Sequence, residues 1–83
     1  MENGQSSNAQ VSAVMAISYN KLWKLLVDRK MSAANLRREA DIAPNTMTRL
    51  RQNKDVTIKV LYKICAVLEV DIGDVMEFVP EER

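Results

Sequence analysis

Residues 33–52 of this 83-residue chain read AANLRREADIAPNTMTRLRQ, and this stretch decides the fold. Apolar residues recur at helical spacing on both sides of a break at residues 41–43, which predicts two short helices joined by a three-residue turn. Pro44 suits the first position of the second helix, where its missing N–H costs nothing. Two such helices must cross at a steep angle to share a small core. The residues predicted to face that core are Leu36, Ala40, Ile42, Met47 and Leu50.

The second helix of this pair, predicted to end near Gln52, leaves a polar face turned outward. The residues predicted on that face are Asn45, Thr46, Thr48, Arg49 and Gln52. None of them is a carboxylate. Arginine reads guanine edges or phosphates, asparagine and glutamine read adenine, and threonine contacts a thymine methyl group or a phosphate. The pattern indicates a recognition helix for the major groove of DNA.

Three more helices are predicted outside this pair. One begins at Ser18 as its N-cap and runs to about Lys30, a longer one is capped by Thr57, and a short one starts at Asp71 and takes in residues 72, 75 and 76. Residues 78–80 are expected to be extended. The inward-facing residues predicted for the first and the longer helix are Leu22, Trp23, Leu25, Leu26, Met31, Ile58, Val60, Leu61, Ile64, Cys65 and Leu68. The predicted fold class is therefore all-α, with five short helices in an orthogonal bundle.

Residues 1–15 are predicted to be a flexible tail, because they are rich in polar residues without sustained periodicity, and residues 16–83 to form the helix-turn-helix domain. A short extended segment around Val11, Val14 and Ile17 is the alternative for part of this region. No apolar run approaches the ~20 residues that a membrane span needs, and residues 1–10 lack the pattern of a signal peptide. We therefore expect a cytoplasmic protein without a membrane partner.

Charge is unevenly distributed along the chain, although the net charge is only +1. Residues 21–54 contain nine basic and three acidic residues, a net charge of +6, and the remaining residues carry −5. A basic half suggests a face for phosphates, while the alternative is that these charges are only solvated helix faces. The acidic cluster Asp71, Asp74 and Glu77 is interpreted as structural, since carboxylates are favoured near a helix start.

Enzymatic and metal-binding functions find little support. The chain has no histidine, and its lone Cys65 cannot form an internal disulfide, so neither a zinc site nor any cofactor is expected. Cys65 is interpreted as a small buried hydrophobe, with a redox sensor as the alternative. Trp23 is interpreted as a core residue, because one aromatic side chain cannot build a stacking platform for single strands.

The chain resembles the lambda-repressor-like family of helix-turn-helix regulators, also called Cro/repressor or XRE. The resemblance rests on ISYNKLWKLL at residues 17–26, NLRREADIAPNTMTRL at 35–50 and VTIKVLYKICAVLEVDIGDVMEFVPEE at 56–82. Members of the family are typically bacterial or phage transcriptional regulators of five helices, often dimeric. Two positions depart from the family pattern: Arg37 replaces a small residue, and Asp41 replaces the turn glycine, a replacement that aspartate tolerates because it adopts the left-handed conformation readily.

The resemblance implies a set of DNA contacts. Base-reading residues are predicted to be Asn45, Thr46, Thr48 and Arg49. Phosphate contacts are predicted for Ser32, Lys21, Arg37, Arg51, Gln52, Asn53 and Lys54. For Arg49, Lys21 and Arg37 the alternative is an ordinary solvated side chain.

The predicted function is a sequence-specific regulator of transcription that binds double-stranded DNA as a homodimer. Dimerisation is predicted from the small size of the chain and from its apolar tail, Val75, Met76, Phe78 and Val79. The alternative is an antitoxin-like or co-regulatory protein-interaction module on the same fold, with weak DNA binding. No small-molecule effector is expected in so short a chain.

Overall fold

The computed structural model describes residues 14–81. Of the tail predicted at residues 1–15, residues 1–13 lie outside the described residues, with Val11 among them. The elements in chain order are β1 Met15–Ser18, α1 Asn20–Asp28, α2 Ala33–Ala40, α3 Pro44–Arg51, α4 Ile58–Leu68, a 3₁₀ turn Ile72–Asp74 and β2 Glu77–Pro80. No helix within this range is long and apolar enough to cross a membrane.

The core is built where the helices cross, and all five residues predicted to be buried in residues 33–52 are in it. Each α-helix adds side chains at helical spacing, and residues beside the helices complete the cluster. Its members are Tyr19, Leu22, Leu26, Leu36, Ala40, Ile42, Met47, Leu50, Leu61, Ile64, Leu68 and Val75. Trp23 packs against this cluster, half-buried, as do Leu25 and Met31. The predicted core role of Trp23 is therefore confirmed.

The predicted helix starts agree with the structure to within one or two residues. Ser32 Oγ accepts a hydrogen bond from the N–H of Asn35 at 3.0 Å, and the side chain of Thr57 accepts one from Val60 N–H at 3.3 Å. These bonds satisfy N–H groups that a helix start leaves without partners. Ser18 accepts from Asn20 N–H at 3.3 Å, but the capping position of α1 is Tyr19, because Ser18 is the last residue of β1.

The predicted fifth helix is wrong: the fold has four α-helices and one 3₁₀ turn among residues 14–81. Asp71 and Asp74 cap each other, and Asp74 Oδ2 accepts from Asp71 N–H at 3.2 Å. The 3₁₀ turn ends after one turn, since Val75 enters the core and Phe78, Val79 and Pro80 favour an extended chain. The predicted extended conformation of residues 78–80 is confirmed.

A two-stranded antiparallel sheet joins the two ends of the described chain. β1 pairs with β2 in the register Met15–Pro80 to Ser18–Glu77, and Glu81 N–H donates to the carbonyl of Val14 at 2.9 Å. The sheet therefore satisfies backbone groups that a fifth helix would have satisfied internally. An extended segment at Ile17 was one of the sequence alternatives, and it is present.

The expected burial of Ile58 is wrong. Ile58 is 70% exposed, because the first turn of α4 extends past the edge of the core although its spacing from Leu61 fits the buried stripe. The apolar tail from which dimerisation is predicted is divided between the core and the surface. Val75 is fully buried in the core, whereas Phe78 on β2 is 65% exposed.

Candidate nucleic-acid interface

The turn between α2 and α3 is held in one conformation by its backbone. Asp41 has a left-handed backbone with φ 55° and ψ 58°, as expected for the position that replaces glycine. Ile42 N–H donates to the carbonyl of Arg37 at 3.0 Å, and the Ile42 side chain is buried. Lys63 Nζ donates to the carbonyl of Asp41 at 3.2 Å and ties the turn to α4. α3 therefore projects from a fixed support.

The two faces of α3 have opposite characters. Met47 and Leu50 anchor the helix in the core. Asn45, Thr48 and Arg49 are exposed, as is Gln52 just beyond the helix, and Thr46 is half-buried. Thr48 donates its hydroxyl proton to the carbonyl of Pro44 at 3.3 Å, one turn earlier, which leaves its hydroxyl oxygen free to accept. The structure thus brings all four predicted base readers together on one short helix.

Arg49 is held by a residue of the loop that follows α3. Its Nε–H donates to the backbone carbonyl of Asp55 at 2.9 Å, and its Nη2 lies 3.0 Å from Asp55 Oδ1. The pair borders a hollow whose other walls include Thr46, Val56 and Val60. The sequence pattern does not single out Asp55. It lies six residues beyond Arg49 and outside the helix, so helical spacing gives no signal for the contact.

A second part of the candidate surface lies between α2 and α3. Arg37, Thr48 and Arg51 line a shared depression with Pro44 at its edge. Arg37 is half-buried, so its stem packs between the helices, as a long basic side chain at a position for a small residue must. Ser32 lies at the start of α2 and uses its oxygen as the cap, which leaves its hydroxyl proton available to a phosphate.

The loop after α3 is fastened to the start of α1 by Tyr19. Asn53 Oδ1 accepts from Tyr19 N–H at 3.0 Å, and the Tyr19 hydroxyl donates to the carbonyl of Lys54 at 2.8 Å. Burial raises the pKa of the Tyr19 hydroxyl, the carboxylate of Asp55 raises it further, and Arg49 opposes them. The amide NH₂ of Asn53 and the ammonium group of Lys54 remain as possible phosphate donors on this loop.

Lys21 is placed apart from the other predicted phosphate contacts. Its Nζ donates to the carbonyl of Gly73 at 3.1 Å and lies 3.8 Å from Glu77 Oε1. The side chain therefore packs against the C-terminal segment. Its ammonium group has three protons, so a further acceptor is still possible.

Comparison with known proteins agrees with this architecture. The family model of the Cro/C1-type helix-turn-helix DNA-binding domain matches residues 21–81. A search of curated proteins finds no match. The chain is similar to the transcriptional regulator VanUg, for which a crystal structure is known. The two are 41% identical, the match covers 92% of this chain and 100% of that one, and the TM-score is 0.80. The family resemblance predicted from the sequence is confirmed, and the chain belongs to the Cro/C1-type helix-turn-helix DNA-binding family.

Proposed function

We propose that the protein is a sequence-specific regulator of transcription that inserts α3 into the major groove of double-stranded DNA. The observation that supports this most is the polar outer face of α3, which carries amide, hydroxyl and guanidinium groups and no carboxylate, above two buried anchors. Such groups match the donors and acceptors of base edges. As a regulator of the bacterial or phage type it would meet its DNA in the cytoplasm.

The roles of individual residues are assigned from their positions. Asn45, Thr46, Thr48 and Arg49 are proposed to contact base edges. The proposed phosphate contacts come from α1, from α2 and its N-cap, from the end of α3 and from the loop that follows it, and Lys21 of α1 packs against the C-terminal segment. They are Ser32, Lys21, Arg37, Arg51, Gln52, Asn53 and Lys54. Contacts of this second kind fix the orientation of the protein on DNA without reading its sequence.

The test is a selection of binding sites from a randomised duplex library, followed by affinity measurements on the selected site and on a scrambled duplex. We expect the selected site to be preferred by at least about a hundredfold and binding to weaken steeply with salt. Arg49→Ala should cost about 1–3 kcal/mol mainly on the selected site. Lys24→Ala removes one positive charge from α1 and serves as the control, with similar losses on both duplexes.

Equal and weak binding to both duplexes, with no common site recovered, would overturn the proposal. The protein-interaction module would then be the better interpretation of the fold.

We further propose that the protein acts as a homodimer. An exposed apolar surface runs along α4, where Ile58 and Tyr62 lie one turn apart and are 70% and 71% exposed. Ile72 continues this surface across a shallow groove floored by Leu61 and Cys65. Self-association would cover these side chains. Two copies related by a two-fold axis would place two α3 helices on half-sites about 34 Å apart.

Sedimentation equilibrium at tens of micromolar tests the dimer. We expect the unmodified protein to sediment as a dimer and Tyr62→Arg to sediment as a monomer. Val27→Arg on α1, where an equally exposed apolar residue is replaced, is the control and should leave the dimer intact. A monomer in every case would remove the support for a symmetric binding site.

A further inference from the structure

The Arg49–Asp55 pair uses one defined edge of the guanidinium group. Nε–H and one N–H of Nη2 are directed at the carbonyl and the carboxylate of the same residue. A guanidinium group has five N–H donors, so three remain: the second on Nη2 and both on Nη1. The remaining donors include one N–H from each terminal nitrogen, which together form the outer edge of the group.

That outer edge has the geometry of a bidentate donor. Arginine recognises guanine most specifically by two parallel N–H groups directed at O6 and N7. A freely rotating guanidinium group could instead turn any edge toward a phosphate, a contact without sequence information. Holding the Nε–Nη2 edge therefore favours the contact that reads a base.

The support for Asp55 is local and built into the loop. Lys54 N–H donates to the carbonyl of Arg49 at 2.9 Å, so the chain folds back onto the same turn of α3 that carries Arg49. This places the backbone carbonyl of Asp55 beside Nε. Half-buried Val56 and Val60 line the same hollow beside the pair.

We propose that Asp55 is a positioning residue that determines specificity: it orients Arg49 for bidentate recognition of a guanine and discourages it from binding phosphate. This inference rests on the proposed function, since it assigns a role within DNA recognition. Asp55 is 83% exposed and Arg49 is 46% exposed. Exposed ion pairs contribute little to folding, so the effect of Asp55 belongs in DNA binding and not in stability.

The test compares affinities for the selected site and for a scrambled duplex, using full-length variants at two salt concentrations. In Asp55→Ala, we expect binding to the scrambled duplex to rise several-fold, because a negative charge is lost and Arg49 is held only by its bond to the backbone carbonyl of residue 55, so that it turns toward phosphate more readily. The ratio of specific to non-specific affinity should fall at least about tenfold, near the lower limit of what a bidentate contact provides. Asp55→Asn keeps a side-chain acceptor and should lose less of this ratio.

Asp28→Ala is the matched control, because it removes the same charge from α1. It should raise both affinities by similar factors and leave their ratio within about twofold of the starting value. If the ratio of specific to non-specific affinity fell as far in this variant as in Asp55→Ala, the effect would be one of net charge alone and the inference would be overturned.

A double-mutant cycle asks whether Asp55 acts through Arg49. In an Arg49→Lys background, which cannot form the bidentate contact, Asp55→Ala should leave the specificity ratio unchanged. The site selected by Asp55→Ala should also lose its guanine preference at the position that Arg49→Lys affects. An unchanged ratio in Asp55→Ala, or an equal loss in the Arg49→Lys background, would overturn the inference. Failure to select any site with the unmodified protein would instead refute the proposed function, and with it this role.

Discussion

Removing the hydroxyl group of Tyr19 should destabilise the fold by an amount that depends on pH. Tyr19 is only 1% exposed, and its ring fills the core where α1 begins. Its hydroxyl donates to the carbonyl of Lys54 at 2.8 Å and links α1 to the loop after α3. Tyr19→Phe keeps the ring and removes the hydroxyl with its bond to the carbonyl of Lys54 and its contact with the backbone of Val56, so the substitution isolates the polar contacts from the packing.

The size of the destabilisation depends on the hydrogen bond that Tyr19→Phe removes. A hydrogen bond between uncharged groups contributes about 0.5–1.5 kcal/mol to stability, and a buried acceptor left without a partner costs about 1–3 kcal/mol. The carbonyl of Lys54 is partly buried, which places Tyr19→Phe near 1–2 kcal/mol. For a domain of this size, each kcal/mol lowers the melting temperature by roughly 4–8 °C. Tyr62→Phe removes a hydroxyl from a residue that is 71% exposed, and it should change stability by less than about 0.5 kcal/mol.

The pH dependence has a definite sign. Burial raises the pKa of Tyr19 above the ordinary value of a tyrosine, with the carboxylate of Asp55 acting in the same direction. A raised pKa means that the stabilisation is fully present below the pKa of the unfolded chain, about 10, and is lost as the pH rises through the folded value. Urea unfolding of the unmodified protein and of Tyr19→Phe should therefore differ at pH 8 and converge above pH 10.

Taking the difference between the unfolding free energies of the two proteins cancels the titration of the lysines, which both proteins share. A difference that stays constant to pH 11.5 would contradict the raised pKa of Tyr19. Equal stability of the two proteins at pH 8 would show that the Tyr19–Lys54 bond contributes nothing to the fold.

Other substitutions test the helix ends and the thiol. Glu69 ends α4 with a left-handed φ of 57°, so Glu69→Gly should raise the free energy of unfolding by about 1 kcal/mol. Asp41→Gly should raise it by less, since aspartate tolerates this conformation. A lower free energy of unfolding in urea for either variant would contradict this. Ser32→Ala and Thr57→Ala should each cost about 1 kcal/mol of stability as lost caps, but only Ser32→Ala should also weaken DNA binding; equal DNA affinities would remove Ser32 from the interface. Burial raises the pKa of the Cys65 thiol, and Asp71 and Asp74 add to it, so alkylation at pH 8 should be slower in the folded protein than in urea; equal rates would refute this.

The helix-turn-helix unit could be predicted from the sequence because its determinants are local. Ser32, Pro44 and Thr57 act on helix starts within three residues of themselves, and Asp41 fixes the turn through its own φ. The buried residues of the unit are placed by a period of 3.6. Each of these signals can be recognised in the sequence without knowledge of the tertiary contacts.

The C-terminal segment could not be predicted in the same way. Asp71 and Asp74 are a correct helix-start signal, and they do cap a turn. The conformation beyond that turn depends on β1, a strand about sixty residues earlier, whose backbone offers a partner to residues 77–80. Non-local pairing of this kind overrides a local start signal, because the backbone groups are satisfied in either conformation.

The candidate interface shows the same division between local and non-local information. The outward set on α3 is determined by which residues are buried, so Asn45 and Arg49 could be placed on one face from the sequence. The direction of the Arg49 side chain depends on the path of the loop, which brings a carboxylate back from residue 55. Periodicity carries no information about that path. A side chain's position on a helix is therefore readable from the sequence, whereas the edge it presents to a ligand is set by the contacts that hold it. That edge is what distinguishes a base-reading arginine from one that only neutralises phosphate.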